Sequence, residues 1–220
     1  MKKYFEILKT CALFREMREE DYGPLLSCFG ARPWHYEKGA VILDEGDPAE
    51  YVGVVLSGTV QVVRMDYYGN RSIMAKLGPG GIFAEAFACA GVPVMPVSVV
   101  AAEEAEILLL QARHIITSCG NACHFHNQMI HNLLRVVAAK NLACNQKIEI
   151  MSQRTTREKL MAYLLLEAKR TGKSSFSIPY DRQELADYLE VERSGLSAEI
   201  SKLRKEGILE SEKNRFRLLT

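Results

Sequence analysis

Six cysteines and five histidines are the residues of this 220-residue chain best suited to hold a metal or carry redox chemistry. Their spacing speaks against both. Cys11, Cys28, Cys89, Cys119, Cys123 and Cys144 form no Cys-x-x-Cys pair, the spacing from which zinc and redox sites are built. Cys119 and Cys123 stand four apart, and two thiols on a stiff helix at that spacing seldom come within bonding distance. His124 and His126 are two apart and point to different faces of a helix. His124 and His131 share a face, but no thiolate or carboxylate joins them at ligand spacing, so they read as polar residues of a helix surface. No metal and no cofactor is expected, and free thiols in a reducing compartment are the simplest reading.

A second set of residues can bind anions. Arg193-Ser194-Gly195-Leu196-Ser197 opens a pattern in which Leu196, Ile200 and Leu203 fall on one helical face. A guanidinium at such a helix start can grip guanine in bidentate fashion, and the hydroxyls of Ser194 and Ser197 can donate to bases or phosphates. Just upstream, Asp181-Arg182-Gln183-Glu184 carries an acidic cap with Glu three residues later, a helix start signal. Arg182 and Gln183 would stand at that helix N-terminus, where backbone amides and the positive dipole end suit a phosphate. Lys202 and Arg215 complete the candidate DNA-binding set. The chain as a whole carries +1, but 151–220 holds 14 Lys or Arg against 11 Asp or Glu. So small an excess fits a domain that touches phosphates with only a few side chains.

The elements around these residues fall into an order. A helix over 182–189 stops at 190–192, another runs 193–205 before Gly207, and 208–210 with 215–218 reads as a hairpin turning near Lys213-Asn214. Helix, short turn, helix, hairpin is a winged helix-turn-helix, and its second helix enters the major groove. A short strand is expected at 177–180 and an amphipathic helix over 155–169. Before it, from Cys119 to about Ser152, Ile130, Leu134, Val137, Asn141, Cys144 and Ile148 recur at steps of four and three. That is a coiled-coil seam, which predicts a homodimer, with Asn141 as the polar residue that fixes register. Cys144 on this seam could cross-link two chains under oxidation, but as a small core residue it needs no function.

From 34 to 110, short β-branched runs alternate with glycine turns, the pattern of a jelly roll or β-roll. Short helices are expected over 4–29, with a break at Gly23-Pro24, and a helical patch over 111–118. The expected fold is therefore α+β. It has N-terminal helices and a β-roll domain over 1–118, a dimerisation helix over 119–152 and a winged helix-turn-helix domain over 153–220. No run of 18 apolar residues occurs, and the first ten residues carry charges where a signal peptide needs its apolar stretch, so a cytoplasmic protein with no membrane partner is expected.

Several stretches in register carry a family likeness: Lys38-Gly39, Glu45-Gly46-Asp47, Leu56-Ser57-Gly58-Thr59-Val60, Gly80-Gly81-Ile82-Phe83-Ala84-Glu85-Ala86, and Asp181-Arg182-Gln183-Glu184-Leu185-Ala186. With them the chain resembles the bacterial cyclic-AMP receptor and fumarate-nitrate regulator (Crp/Fnr) family over nearly its whole length. The resemblance implies a non-enzymatic transcription regulator: a dimeric β-roll sensor joined by a long helix to a DNA-binding domain. Its partners would be operator DNA, a second copy, a small-molecule effector and, for an activator, RNA polymerase.

The resemblance also bears on the effector. Nucleotide-binding members hold the ribose with the Glu of a Gly-Glu pair and neutralise the cyclic phosphate with an Arg-Ser pair. Here Glu85 matches the acid, Ala84 replaces the glycine, and the Arg-Ser positions fall on Met95 and Pro96. No Lys or Arg occurs from Ala86 to Val100, so a buried phosphate would lack its charge partner. The effector is therefore expected not to be cyclic AMP. Lys140 and Asn141 match positions that reach the nucleotide base, and Lys140 could supply a cation to another anionic ligand. The rest of the pocket would be lined by Ala86, Phe87, Cys89, Val97 and Val99. Iron-sulfur members carry a run of cysteines near the N-terminus that Cys11 and Cys28, too far apart, do not reproduce. Family members often have Glu and a second Arg where this chain has Ser194 and Ala198, so its operator should differ from that of the cyclic-AMP receptor. Redox control through the thiols and control by abundance alone are alternatives. A metal-dependent cupin enzyme, a different class, would need a His-x-His and Glu set on the roll, which carries only His35.

Overall fold

The computed structural model describes residues 2–117 and 124–219. In chain order the helices and strands are α1 (Phe5–Thr10), α2 (Glu19–Cys28), β1 (Arg32–Tyr36), β2 (Val41–Leu43), β3 (Tyr51–Ser57), β4 (Val60–Met65), β5 (Arg71–Leu77) and β6 (Ile82–Phe83). There follow α3 (Glu85–Ala90), β7 (Ser98–Ala101), β8 (Ala105–Gln111), α4 (Ala112–Ile116) and α5 (His124–Met151). The chain ends with α6 (Thr156–Thr171), β9 (Ser175–Ser177), α7 (Arg182–Leu189), α8 (Arg193–Lys205), β10 (Leu209–Glu212) and β11 (Arg215–Leu218). They form two compact units, one drawn from Met1–Met65 and Met74–Asn141, the other from Asp66–Ile73 and Leu142–Thr220.

The first unit is an antiparallel β-sandwich of two four-stranded sheets, ordered β1-β8-β3-β6 and β2-β7-β4-β5. In β3 and β8 both faces are buried, which explains why they read as continuous apolar runs. Val52, Val54, Leu56, Leu108 and Leu110 pack outward against Leu8, Leu13, Tyr22 and Leu25 of the N-terminal segment and against Met129, Leu133 and Val136 of α5. Val55, Ala105 and Ile107 face inward, into a core shared with Phe83, Met95, Val97 and Val99. Gly53 shares the inward face of β3, and a Cβ there would stand 2.0 Å from the Phe83 ring, so the aromatic side chain occupies the space of the missing one.

Asn132 on α5 is buried, and its amide donates to the carbonyls of Leu13 at 3.0 Å and Arg15 at 2.7 Å. This tie fastens the N-terminal turns to the long helix. The break expected at Gly23-Pro24 does not occur: α2 runs through both residues. Proline within a helix loses one hydrogen bond and costs roughly 3 kcal/mol, which the burial of Tyr22, Leu25 and Leu26 offsets. Tyr22 also meets Phe5 and Phe14 edge-on, with centroids 5.4 and 5.7 Å away.

In the second unit α6 packs on α7 and α8, and a three-stranded sheet ordered β10-β11-β9 flanks them. The expected helices 182–189 and 193–205 stand where the sequence puts them. The strand expected at 177–180 instead ends at Ser177, ahead of Pro179, which has no amide hydrogen to extend the ladder. The Asp181–Glu184 capping box forms in both directions at 2.8 Å. Thr155 and Glu158 build a second box at the start of α6. The turn between α7 and α8 passes through Glu190 in the left-handed region, φ 51°, which lets the chain reverse without glycine at a cost of about 1 kcal/mol. Among the described residues no helix is long and apolar enough to cross a membrane.

Candidate functional site

Two clusters of functional side chains emerge, one in each unit. In the second, α8 buries Leu196, Ile200 and Leu203. On an ideal helix the opposite side then carries Ser194, Ala198, Ser201 and Lys205, and all four are exposed. Arg193 is exposed on the flank next to α7. Arg182, at the first position of α7, is half-buried, lies 5.7 Å over the Phe216 ring and has an Nη1 that is buried without a hydrogen-bond partner. Burial, and then the nearby charges of Arg193 and Arg204, pulls its guanidinium below the ordinary arginine value. Three cations converge here.

The other sequence candidates in this unit are placed less alike. Gln183 is exposed, and its amide donates to Asp187 at 2.8 Å. Arg215 is exposed at the base of the hairpin turn, paired in register with Glu212. Ser197 is half-buried, and its carbonyl accepts from Ser201 Oγ at 2.9 Å. Lys202 lies on the far flank of α8, its ammonium 2.7 Å from Glu199, beside Arg157 and Glu206, which form a two-bond ion pair. Lys202 is thus committed to a neutralising contact away from the three arginines. Lys205 and Ser201 belong with the exposed face and Arg204 lies on the flank of Arg193; of these, Ser201 was the one reachable from the 3.6-residue period but not singled out.

In the first unit Glu85 opens α3 and its side chain is 3% exposed. Lys140 of α5 reaches it: Nζ stands 2.8 Å from Glu85 Oε2 and donates to the Ile82 carbonyl at 2.5 Å. The acid and the cation expected to meet a ligand therefore meet each other. Ala84, in the place of the glycine, adopts φ 63°, the left-handed conformation in which glycine is the easy residue.

Two expected lining residues are corrected. Ala86 is exposed, because α3 turns Glu85 and Ala88 inward and leaves Ala86 on its outer side. Pro96 is exposed as well, since side chains alternate through this extended segment, with Met95 and Val97 buried on either side of it. Met95 is 1% exposed in the sandwich core, held by backbone bonds to Asp47 and Gly46. Val97 and Val99 belong to the same core, with Phe87 packed against it.

Of the expected seam, Leu134, Asn141, Cys144 and Ile148 are exposed and Ile130 and Val137 half-buried in the single chain. Met129, Leu133 and Val136, on the other face of α5, fill the core. His131 is exposed and His126 buried, with its Nε2 3.1 Å from the Ile115 carbonyl. Cys119, Cys123 and the side chain of His124 lie outside the described residues. Among those described, no three His, Cys, Asp or Glu side chains gather to hold a metal ion.

A cyclic-nucleotide-binding type of β-sandwich followed by a winged helix-turn-helix defines a class: the DNA-binding transcription regulators. Residues 33–119 match the family model of the cyclic nucleotide-binding domain, and residues 158–220 that of the Crp-like helix-turn-helix domain. The chain belongs to the Crp/Fnr family of transcription regulators. It is 27% identical over 203 residues to the cyclic AMP receptor protein of Thermus thermophilus, covering 92% of this chain and 89% of that one. It is 21% identical to the transcriptional activator FnrL of Cereibacter sphaeroides, covering 84% and 75%. The solved structure of FixK2 from Bradyrhizobium japonicum shares the fold with a TM-score of 0.66 at 23% identity, over 86% of this chain and 93% of that one.

Proposed function

We propose that this regulator works as a homodimer, paired along the Ile130 to Ile148 seam of α5, and reads operator half-sites with the exposed face of α8. The observation that carries the reading is the convergence of Arg182, Arg193 and Arg204, with Arg182 Nη1 buried and unpartnered. Like charges at Arg182, Arg193 and Arg204 disfavour one another in the free protein, and a phosphate bound beside them relieves that repulsion. Arg182 and Gln183 then position the backbone, Arg193, Ser194 and Ser197 read base edges, and Arg215 follows the phosphates from the wing. Lys202, paired with Glu199, contributes least.

Anisotropy titration of a duplex selected from a randomised pool tests this. The selected sequence should be a pseudo-palindrome with half-sites one helical turn apart. Arg193→Ala should cost about 1–3 kcal/mol and relax preference at one base pair of each half-site. Arg182→Gln should weaken all sequences alike and lower the salt slope by roughly 2 for a dimer, one phosphate per subunit. Unchanged base preference in Arg193→Ala, or a pool that never converges, would defeat the proposal.

The effector of this reading is not cyclic AMP. Met95 replaces the phosphate-binding arginine with an apolar side chain, and Lys140, the cation within reach, is held by Glu85. Effector occupancy elsewhere in the roll would act by changing how the two α5 helices pair and hence the spacing of the two reading helices. Equal operator affinity for effector-saturated and effector-free protein would remove that switch.

A further inference from the structure

The strand β1 is the outer edge of its sheet, and its residues are unusual for one that faces a core. In register Arg32 lies opposite Leu109, Trp34 opposite Ile107 and Tyr36 opposite Ala105. Directly opposed residues of antiparallel strands project to the same face, and Ile107 and Ala105 are buried inside the sandwich. Arg32, Trp34 and Tyr36 thus face the interior side. Arg32 is nevertheless exposed, and Trp34 keeps 56% of its surface in solvent. An indole on the core-facing side with half its area wet marks a place where the apolar interior is not covered.

The space they front is a groove of about 490 Å³, within the size range of small-molecule sites. Phe29, Tyr51 and His114 supply further walls. Four aromatic rings in one groove favour a flat ring as occupant, because aromatic pairs gain from stacked and edge-on arrangements beyond the area they bury. The charge is one-sided: Arg32 lines the groove, and no Asp or Glu does. Arg32 has no ion-pair partner among the described residues, and His114 Nδ1 is buried without a hydrogen-bond partner. A guanidinium fork free to bond in two places matches a carboxylate.

We propose that this groove binds a small aromatic carboxylate, its ring against Trp34 and the neighbouring rings and its carboxylate on Arg32. The groove shares no residue with the Glu85–Lys140 cluster, and ligand binding to the free protein is independent of the operator reading, so either can fail alone.

Trp34 is the single tryptophan of the chain, so its fluorescence reports on the groove directly. Benzoate titrated into the full-length protein should quench or shift that emission saturably, with calorimetry giving the same affinity. Half-saturation near or below about 1 mM is the scale for a ligand of roughly nine heavy atoms. Arg32→Gln, a change at an exposed position whose folding is checked by an unchanged melting curve, should weaken benzoate at least tenfold, or about 1.4 kcal/mol. Benzamide, which keeps the ring, and cyclohexanecarboxylate, which keeps the charge, should each bind at least about tenfold more weakly than benzoate. Absence of a saturable response, equal affinity in Arg32→Gln, or equal binding of either control overturns the proposal.

Discussion

Lys140→Met keeps most of the side-chain stem while removing the ammonium that stands 2.8 Å from Glu85 Oε2 and 2.5 Å from the Ile82 carbonyl. The carboxylate left behind is 3% exposed and cannot recover its hydration without movement of α3. Removing one partner of a fully buried ion pair costs roughly 3–5 kcal/mol. Lys140 is 41% exposed, so water takes over part of its role, and a loss of about 1.5–3 kcal/mol is expected. Glu85→Gln keeps a hydrogen-bonding side chain but strands the cation near solvent, where the penalty is smaller, about 1–2 kcal/mol. Neither charge remains in the double variant, so its loss should fall short of the sum by about 1–2 kcal/mol. Urea unfolding followed by Trp34 fluorescence is the appropriate assay, since Trp34 lies in the same compact unit as the pair. Additivity within about 0.3 kcal/mol would refute the coupling, and with it the idea that Glu85 and Lys140 satisfy each other's charge.

Three further outcomes are expected. Ala84→Gly relieves a left-handed alanine, φ 63°, and should add about 1 kcal/mol, or about 2–4 °C in Tm by calorimetry; a lowered Tm would contradict this. Cys28 is exposed, whereas burial pushes the Cys11 thiol up to about 11. Mass mapping after brief Ellman treatment near neutral pH should accordingly find Cys28 modified and Cys11 intact until the protein unfolds. Glu106 accepts from Tyr4 at 2.5 Å and Lys3 at 3.0 Å, contacts that hold its carboxyl below the usual range. A depressed carboxylate stabilises the fold fully above its unfolded pKa and less as pH falls through its folded value. Melting of the native protein should therefore drop as pH falls below the ordinary glutamate value of about 4.5, and Glu106→Gln should flatten that drop; equal slopes in the two would exclude the role.

Much of the second unit was legible because its signals are local. The Asp181 box, the apolar steps of α7 and α8 and the hairpin turn each depend on residues within a few positions, and all appear as read. The first unit was harder wherever partners are distant. Strand β1 carries Pro33 and only two apolar residues on its inward face, β5 interleaves Arg71 and Lys76, and β6 is two residues long, so each is a weak strand signal until neighbours supply its ladder. The proline of α2 gave a correct local signal that tertiary burial outweighed. Glu85 and Lys140 were each singled out, but 55 positions separate them, and only the fold turns a supposed ligand cation into an internal partner. The outward placement of Ala86 and Pro96 likewise follows from the direction of α3 and of the segment after it, which motif matching does not convey.

The amide of Asn132 has a consequence for how the molecule is made. It closes on carbonyls 119 and 117 positions earlier in the chain, and the α5 residues Met129, Leu133 and Val136 complete the apolar layer over the N-terminal helices. During synthesis at roughly 5–20 residues per second, the first helices must wait about 6–24 s for that partner to leave the ribosome. The part of the chain born first is thus among the last to settle, and until then it holds Leu8, Leu13, Phe14 and Tyr22 without their full cover. Translation speed and chaperone access over this interval therefore bear on the yield of the finished regulator.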